Sequence, residues 1–366
     1  MHNIIEKIIQ AINDLMSAKQ ISLMEVCGTH TMSIARSGIR AMMPEQLRLL
    51  SGPGCPVCVT AQDTIDHAVA LAQEKNIIIV TFGDMVRVPG TVSSLERYAP
   101  QVVYSPLDAL SIAEANKNKD IVFIGIGFET TSPTIAATVL AAETKGIGNF
   151  YVLPAFKLIP PALDFIARSP RIDVQGFILP GHVSTIIGTK PYEFLSRQYH
   201  MPGCVTGFEP IEILRGILNL AKQLADKKAD ITIEYSKVVK PKGNQKALEI
   251  LYTVCEPSDA NWRGIGLVRK SGLAFKEQYR KYDALERFSV EVPKSVIPKG
   301  CICGKVLLGI SLPVNCKLFG KKCTPLTPVG PCMVSSEGSC AAYYKYGYNN
   351  RGRRKGLKKA KKRRQR

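Results

Sequence analysis

Six cysteines lie within a forty-residue segment near the end of the chain, a density that indicates metal or cluster chemistry. They are Cys301, Cys303, Cys316, Cys323, Cys332 and Cys340. No matching set of histidines accompanies them, and thiolate-only ligation suits zinc or an iron–sulfur cluster. Cys-x-x-Cys pairs, typical of zinc ribbons, do not occur in this segment, and the irregular spacing fits four cysteines reached from several turns. The sequence therefore favours a four-iron cluster over zinc or no metal, with two thiols left over that could form a disulfide beside it.

A second pair of thiols lies in the glycine- and proline-rich stretch SGPGCPVC, residues 51–58. The segment after it, VTAQDTIDHAVALAQ, has a helical pattern, so Cys55 is predicted near a helix N-terminus, where the dipole and free N–H groups stabilise a thiolate. Zinc would need two further ligands, and none lies in the adjoining sequence. A redox or soft-metal role for Cys55 and Cys58 is favoured over a structural or zinc-binding one.

Cys27 and His30, in MEVCGTHT, follow a predicted strand. A thiolate and an imidazole this close can be a pair of metal ligands or a nucleophile with its base, and both roles call for an exposed loop. The alternative is a buried thiol near a capping threonine. Glu129 and His182 also follow strands, where they could equally be a helix-capping carboxylate and a hydrogen-bonded turn histidine. The functional interpretation depends on all four residues sharing one face of the fold.

Short apolar runs alternate with helical stretches along much of the chain, the pattern of parallel strands joined by crossover helices. The clearest runs are ISLMEV, IIIVTF, IVFIGIG, FYVLPA, GFILPG and CVTGF. Each precedes a loop rich in glycine, proline, threonine and charged or chelating side chains, such as CGTHT, GDMVRVPG, FETTSPT and HVSTIIG. Ligand sites of open α/β sheets lie beyond the carboxyl ends of the strands, so these loops predict an active face.

A short internal repeat, GFET at 127–130 and GFEP at 207–210, favours two similar α/β halves with a cleft between them. The predicted domains are a first α/β domain over 1–118, which begins with an amphipathic helix, a second over 119–235, an iron–sulfur domain over 236–348 and a disordered basic tail over 349–366. The cysteine-rich region has few long apolar runs, so its fold is predicted to depend on a bound inorganic centre.

Positive charge is concentrated at the C-terminus. The 366 residues carry a formal net charge of +19, and the last sixteen, RGRRKGLKKAKKRRQR, contain eleven Lys or Arg and no acid. We expect weak polyanion binding by this tail and no specific nucleic acid partner. No apolar run approaches the roughly 18 residues that span a bilayer, so we expect a cytoplasmic protein without a membrane role. Eleven cysteines, an odd number, then indicate metal, cluster or redox chemistry.

Six motifs between about residue 20 and residue 348 closely resemble those of the HypD family, hydrogenase expression and formation proteins that help mature nickel–iron hydrogenases. In order they are MEVCGTHT, GPGCPVC, GFETTSPT, PGHVSTIIG, WRGIG and CTPLTPVGPCMVSSEGSCAAYYKY. The resemblance implies two similar parallel-sheet α/β domains flanking a cleft, plus a small C-terminal cysteine-rich iron–sulfur domain. It also implies a scaffold, formed with a HypC-type partner, on which iron becomes Fe(CN)2CO, with cyanide delivered by HypE after its charging by HypF.

The resemblance also implies roles for single residues. Cys27 would hold the iron together with the N-terminal cysteine of HypC, with His30 beside it, and Cys55 and Cys58 would be the redox-active dithiol. The family's spacing of 4Fe–4S ligands is matched by Cys301, Cys316, Cys323 and Cys340. Cys303 and Cys332 would then be a redox pair next to the cluster, an arrangement similar to that of ferredoxin–thioredoxin reductase.

Electrons would pass from the cluster through the dithiol to the iron, so Cys55 and Cys58 are expected between Cys27 and the C-terminal cysteines. Glu129 and His182 would move protons or orient cyanide. This hypothesis is a scaffold with redox and ligand-transfer chemistry and not a simple turnover enzyme. One alternative is a stand-alone iron–sulfur thiol–disulfide oxidoreductase that acts on a protein substrate and keeps no iron at Cys27. Another is an RNA-binding protein driven by residues 351–366, whose deletion we expect to be tolerated.

Overall fold

The computed structural model describes residues 2–16 and 20–347, so the tail predicted over 349–366 lies outside the described residues. The strands are β1 Ile21–Glu25, β2 Leu47–Ser51, β3 Ile77–Thr81, β4 Gln101–Val102, β5 Asp120–Gly127, β6 Phe150–Phe156, β7 Gly176–Pro180, β8 Gly203–Thr206, β9 Ile231–Ile233, β10 Cys255–Trp262 and β11 Gly266–Phe275. The six strands predicted from apolar runs are β1, β3, β5, β6, β7 and β8.

Helices connect these strands. Those before residue 200 are α1 His2–Leu15, α2 Gly28–Ser37, α3 Ile39–Met42, α4 Pro56–Val59, α5 Gln62–Leu71, α6 Gly83–Val86, α7 Asp108–Ala115, α8 Ser132–Lys145, α9 Ile159–Ala167, α10 Gly181–Ile187 and α11 Glu193–Tyr199. Those after it are α12 Pro210–Ala225, α13 Gln245–Val254, α14 Ala284–Arg287, α15 Cys303–Leu307, α16 Pro331–Val334 and α17 Ser339–Ala342. None of the helices in the described part of the chain is long and apolar enough to cross a membrane.

Two parallel sheets form the framework. The first has the strand order β2-β1-β7-β8-β9 and the second β4-β3-β5-β6. Their central strands are buried almost throughout, as β5 and β7 show, which is why they are readable as continuous apolar runs. The predicted fold class is confirmed: two parallel α/β units are followed by a small cysteine-rich C-terminal region.

The division of strands between the sheets does not coincide with the predicted domain boundary at residues 118 and 119. The chain makes β1 and β2, leaves to build the whole second sheet from β3 to β6, and then returns to add β7 beside β1. Each sheet therefore contains strands from both of the predicted domains, 1–118 and 119–235. The physical reason is that β3 and β5 pair in parallel across the predicted boundary, and α7 connects β4, on the other side of β3, to β5.

The segment after residue 236 also divides. Helix α13 and the β10–β11 hairpin contribute Leu251, Cys255 and Phe275 to the apolar layer that covers the outer face of the second sheet. The cysteine-rich region proper starts at residue 301 and consists of short helices and turns. This last part carries the C-terminal thiols, so the region that lacks its own extended apolar core is smaller than the predicted domain over 236–348.

The N-terminal helix forms as its apolar spacing predicts. Ile5, Ile8, Ile9 and Ile12 recur at helical spacing on one face of α1 and pack against the outer face of the first sheet with α12. Between the two sheets lies a separate core, to which β1, the loop before α4, the β5 strand and the C-terminal cysteines all contribute. This shared core brings the thiol-bearing segments of the chain together.

Candidate functional site

Cys27 lies where β1 ends and α2 begins, as its N-cap residue, and it is only 8% exposed. The sequence-based expectation of an exposed thiol at this position is therefore wrong, because loops from elsewhere in the chain cover it. Burial, together with the charge of Glu337, raises the pKa of Cys27 to about 12. The backbone N–H groups of His30 and Thr29 and the Thr29 hydroxyl oppose that increase. The thiol therefore stays protonated unless a cation binds to it.

Glu337 covers Cys27 from the C-terminal region. The Thr29 hydroxyl donates to Glu337 Oε1 at 2.6 Å, and a β-carbon at Gly28 would lie 2.4 Å from the Glu337 β-carbon. Only glycine at 28 allows this approach. Sequence reasoning missed Glu337, although the residue lies in the quoted motif CMVSSEGSC, because its partners are about 308 positions away.

His30 and His182 both stack on Phe208, with ring centroids at 4.8 Å and 4.0 Å from it. His30 Nε2 lies 2.9 Å from the Gly207 carbonyl oxygen and 2.9 Å from Thr206 Oγ1. Because a carbonyl only accepts, we assign the proton to Nε2, which leaves a lone pair on the buried Nδ1. That Nδ1 has no hydrogen-bond partner within the described ranges. It can accept a proton or bind a metal.

Burial keeps both imidazoles neutral near pH 7. It lowers the pKa of His30 to about 4, and the charge of His182 contributes, against the hydrogen bonds to Gly207 and Thr206. Partial burial also lowers the pKa of His182, while the negative charge of Glu337 opposes this. His182 is exposed at the surface, so it is the member of the stack that solvent protons reach.

Glu129 is buried at the start of α8 and caps a different helix from the one it precedes. Its Oε1 accepts the Ile159 N–H of α9 at 2.9 Å, while Oε2 has no partner among the residues described. Burial raises the pKa of Glu129 to about 7, against the backbone hydrogen bonds. Tyr192 lies within electrostatic reach of both Glu129 and Cys27.

Glu25, which sequence reasoning did not select, is a second buried carboxyl near Cys27. Its Oε1 accepts from the Thr31 hydroxyl at 2.7 Å and lies 3.6 Å from Arg40, while Oε2 has no partner in the described part of the chain. Burial raises the pKa of Glu25 to about 7, although the Arg40 charge and the hydrogen bonds from Thr31 and Ser51 lower it. In the sequence, Glu25 could have been recognised as an acidic residue within an otherwise apolar strand.

Cys55 and Cys58 belong to a one-turn helix and not, as predicted, to the start of the longer helix α5. Cys55 is the N-cap residue of α4, and its Sγ accepts the Cys58 N–H at 3.2 Å. The two thiols are 4% and 0% exposed. Burial raises the pKa of Cys58 well above its ordinary value, and hydrogen bonds with Cys332 and Cys55 raise it further. Cys58 is thus within reach of one thiol on either side.

The dithiol loop lies against Cys27 through Gly54. A β-carbon at Gly54 would lie 2.1 Å from the Cys27 nitrogen, and the Gly54 carbonyl accepts the Gly28 N–H at 2.8 Å. On the other side, Cys58 reaches Cys332. Contacts therefore run from Cys27 to the dithiol and from the dithiol to the C-terminal cysteines, the order in space that the sequence analysis predicts.

All six C-terminal cysteines line one cavity. It is walled by Cys301, Cys303, Cys316, Cys323, Cys332 and Cys340 together with apolar side chains such as Leu318, Phe319 and Met333. Burial raises the pKa of Cys340 well above its ordinary value, and the thiols of four neighbours, including Cys323 and Cys316, raise it further. The cysteines assigned as ligands by family spacing therefore converge. Cys204 and Cys255, which lie alone in apolar stretches of the sequence, are buried away from this group, at 0% and 1% exposure.

Arg263 supplies a positive charge beside this cavity. It is 2% exposed, and neither Nε nor its two Nη atoms have a hydrogen-bond partner in residues 2–16 and 20–347. A hydrogen bond from Cys301 lowers the pKa of Cys303, burial opposes this, and the charge of Arg263 and its polar contact with the Cys303 thiol, which is too long or too bent for a regular hydrogen bond, add to the lowering. A buried cation without an acceptor costs several kcal/mol unless an anion compensates it. Sequence reasoning quoted WRGIG but missed this residue.

These residues fit an anionic, thiolate-ligated centre. Four converging cysteines, an apolar wall and an uncompensated guanidinium are what such a group requires. As placed, no three His, Cys, Asp or Glu side chains of the described residues are grouped to hold a single metal ion. Such a grouping is what a single ion requires, whereas a four-iron cluster is larger and takes one thiolate per iron.

Comparisons with known proteins match the chain over nearly its whole length. The model of the HypD family, described as "Hydrogenase formation hypA family", matches residues 3–347. A putative hydrogenase expression/formation protein of Methanocaldococcus jannaschii is 43% identical over 349 residues, which cover 94% of this chain and 97% of that protein. Hydrogenase maturation factor HypD2 of Bradyrhizobium diazoefficiens is 43% identical over 342 residues, and HypD of Cupriavidus necator is 40% identical over 342, each with 90% of both chains covered.

Proposed function

Because this chain belongs to the HypD family and has a role in hydrogenase maturation, we propose that it is the scaffold on which iron acquires two cyanides and one carbon monoxide. The partners we propose are a HypC-type protein that shares the iron, and HypE, charged by HypF, as cyanide donor. The observation that carries the proposal is the series of contacts from Cys27 through Gly54 to Cys55, Cys58 and Cys332. It joins a buried thiol suited to iron with thiols suited to electron transfer.

Iron is the substrate at Cys27. Binding of Fe²⁺ releases the thiol proton in spite of the raised pKa, because the metal charge outweighs the burial that holds the proton. The second thiolate would come from the N-terminal cysteine of the HypC-type partner. Thiolates make the iron electron-rich, which cyanide and carbon monoxide require. Burial also keeps water from competing for the remaining positions on the iron.

The acid–base groups around Cys27 are suited to the protons that these steps release or take up. His30 Nδ1 has a free lone pair, and Glu337 lies between Thr29 and His182 near the surface. Glu129, with a pKa of about 7, exchanges its proton readily near neutral pH. We assign His182 and Glu337 to proton exchange with solvent and Glu129 to the buried side of the site.

The redox part of the proposal uses two dithiols in contact. Cys58 reaches both Cys55 and Cys332, and Cys332 is close to Cys303, so thiol–disulfide exchange can carry two electrons between the pairs. A 4Fe–4S cluster held by Cys301, Cys316, Cys323 and Cys340 would supply these electrons one at a time. Arg263 would compensate the negative charge of that centre.

Complementation tests this function. In a host that lacks its own HypD, the wild-type chain should restore nickel–iron hydrogenase activity, and Cys27→Ala and Cys58→Ala should not. Cys204→Ala is the matched control, because that thiol is equally buried but lies in the core beside α12. Restoration of activity by Cys27→Ala would favour the alternative, a thiol–disulfide oxidoreductase that keeps no iron there.

A further inference from the structure

We propose that Ser335 and Asp84 form a proton relay that serves the Cys55 thiol. The proposal deepens the redox role of the dithiol and rests on it. Neither residue was selected from the sequence: Asp84 lies in GDMVRVPG after β3, and Ser335 follows α16. Their contact joins two segments 251 positions apart.

The three groups form one line of hydrogen bonds. The Cys55 thiol donates to Ser335 Oγ at 3.3 Å, and the Ser335 hydroxyl donates to Asp84 Oδ2 at 2.9 Å. The other polar contact of Ser335 Oγ is the Glu337 N–H, which donates to it at 3.2 Å. The hydroxyl thus accepts from the thiol and donates to the carboxylate, so the hydrogen bonds already point in the direction of proton transfer.

The relay starts in the core and ends at the surface. Cys55 is 4% and Ser335 1% exposed, whereas Asp84 is half-buried. Asp84 Oδ2 also accepts from the Ser336 N–H at 2.9 Å and from the Ser336 hydroxyl at 3.0 Å. Because the Asp84 residue is only half-buried, its carboxylate group has access to solvent. A proton can therefore leave a thiol that water does not reach directly.

In the oxidising direction, Cys55 and Cys58 form a disulfide and Cys332 is released as a thiolate. Starting from a mixed disulfide between Cys58 and Cys332, the Cys55 proton passes to Ser335 Oγ while the Ser335 proton passes to Asp84. The Cys55 thiolate attacks Cys58 Sγ, so the Cys55–Cys58 bond forms and the Cys58–Cys332 bond breaks. The electron pair leaves on the sulfur of Cys332, and Asp84 gives its proton to water. The reducing direction is the reverse.

The same geometry explains why Cys55 is the thiol that gives up its proton. Burial raises the pKa of Cys58 and the neighbouring thiols raise it further. The Cys55 sulfur, by contrast, accepts the Cys58 N–H at 3.2 Å and contacts a hydroxyl. Cys55 is thus the attacking sulfur, and Cys58 is the sulfur shared between the two pairs. Ser335 and Asp84 are positioning residues that act through Cys55.

We expect loss of the relay to slow formation of the Cys55–Cys58 disulfide without changing its equilibrium. Full-length protein, purified and reduced anaerobically, is mixed with oxidised dithiothreitol, and the Cys55–Cys58 disulfide is followed by differential alkylation and mass spectrometry. Ser335→Ala and Asp84→Asn should slow the approach to equilibrium about tenfold or more. The final ratio of disulfide to dithiol, which gives the midpoint potential, should stay as in the wild type. Ser335→Thr, which keeps the hydroxyl, should retain most of the rate.

Ser336→Ala is the matched control, because it removes a hydrogen bond to Asp84 from a side chain that does not contact Cys55. It should leave rate and potential unchanged. The relay is contradicted if Ser335→Ala keeps the wild-type rate, if Ser336→Ala slows the reaction equally, or if Ser335→Thr is as slow as Ser335→Ala. The oxidant bypasses Cys332, so a failure of exchange between the two dithiols would show separately, as loss of disulfide transfer to Cys303 and Cys332.

Discussion

The Arg263 guanidinium lies beside the Cys303 thiol in the wall of the cysteine-lined cavity, yet it makes no hydrogen bond of normal geometry to any residue in the described ranges. A buried charge placed in this way is stabilised by an anion, which a protonated Cys303 thiol does not supply but a thiolate or a thiolate-ligated centre does. The arrangement is explained when the cavity holds a negatively charged, thiolate-ligated centre. Two predictions of opposite sign follow for the loaded and the metal-free protein.

In the loaded protein, Arg263→Met should make the midpoint potential of the bound cluster more negative, because loss of a nearby positive charge disfavours the added electron. A lost attraction of about 1–2 kcal/mol corresponds to a shift of about 40–90 mV for one electron. Redox titration followed by electron paramagnetic resonance measures it. Arg263→Lys should shift less, and Arg269→Met, at an exposed position of β11, should not shift the potential.

In the metal-free protein, Arg263→Met should raise the melting temperature, since it removes an uncompensated buried charge. A gain of about 1–3 kcal/mol in the free energy of unfolding is expected. Thermal unfolding of protein prepared with a chelator provides the measurement. If metal-free Arg263→Met proved less stable than the wild type, a partner for the guanidinium other than the bound centre would be indicated.

Glu129 makes the stability of the fold depend on pH. Its folded-state pKa of about 7 lies above the ordinary value of 4.5, so the folded state holds the proton more tightly than the unfolded state. The wild type should therefore lose stability relative to Glu129→Gln as pH rises from about 4.5 to about 7, by about 2–3 kcal/mol in all. Urea unfolding at pH 4.5, 6 and 8 measures the difference. The contribution of Glu25 cancels because both proteins contain it, and a difference that stays constant over this range would refute the assignment.

Gly54→Ala should disrupt the contact between the dithiol loop and Cys27, because the new methyl group would lie 2.1 Å from the Cys27 nitrogen. We expect a loss of about 1–3 kcal/mol in the free energy of unfolding and slower hydrogenase maturation. Gly148→Ala is the control, since nothing lies within 4 Å of a β-carbon there. Equal stability of the two variants would show that the loop can move away from Cys27 at little cost.

Much of the fold could be predicted because parallel strands buried on both faces are continuous apolar runs, as β5 and β7 are. The missed strands lack that feature. In β2, exposed Arg48 interrupts the run, β4 has two residues, and β10 contains polar residues because one face meets solvent. The two sheets do not divide at the predicted domain boundary for another reason: strand pairing across residues 118 and 119 is a long-range property that composition does not report.

The candidate site was predictable where residue type alone indicates chemistry, as it does for cysteines. It was not predictable where the role comes from tertiary contact. Glu337 matters because the Thr29 hydroxyl meets it across the fold, and Arg263 because its burial leaves it without an acceptor. The wrong expectation for Cys27 has the same origin, since Glu337 and Gly54 come from distant segments to cover a strand end that looks exposed in sequence.

The central claim is that iron with cyanide and carbon monoxide ligands is held at Cys27. Infrared spectroscopy of the complex with a HypC-type partner, purified anaerobically, tests it most directly. The wild type and Cys204→Ala should both show cyanide and carbonyl stretching bands, and Cys27→Ala should show none while still binding the partner. Bands of undiminished intensity in the Cys27→Ala complex would contradict the account.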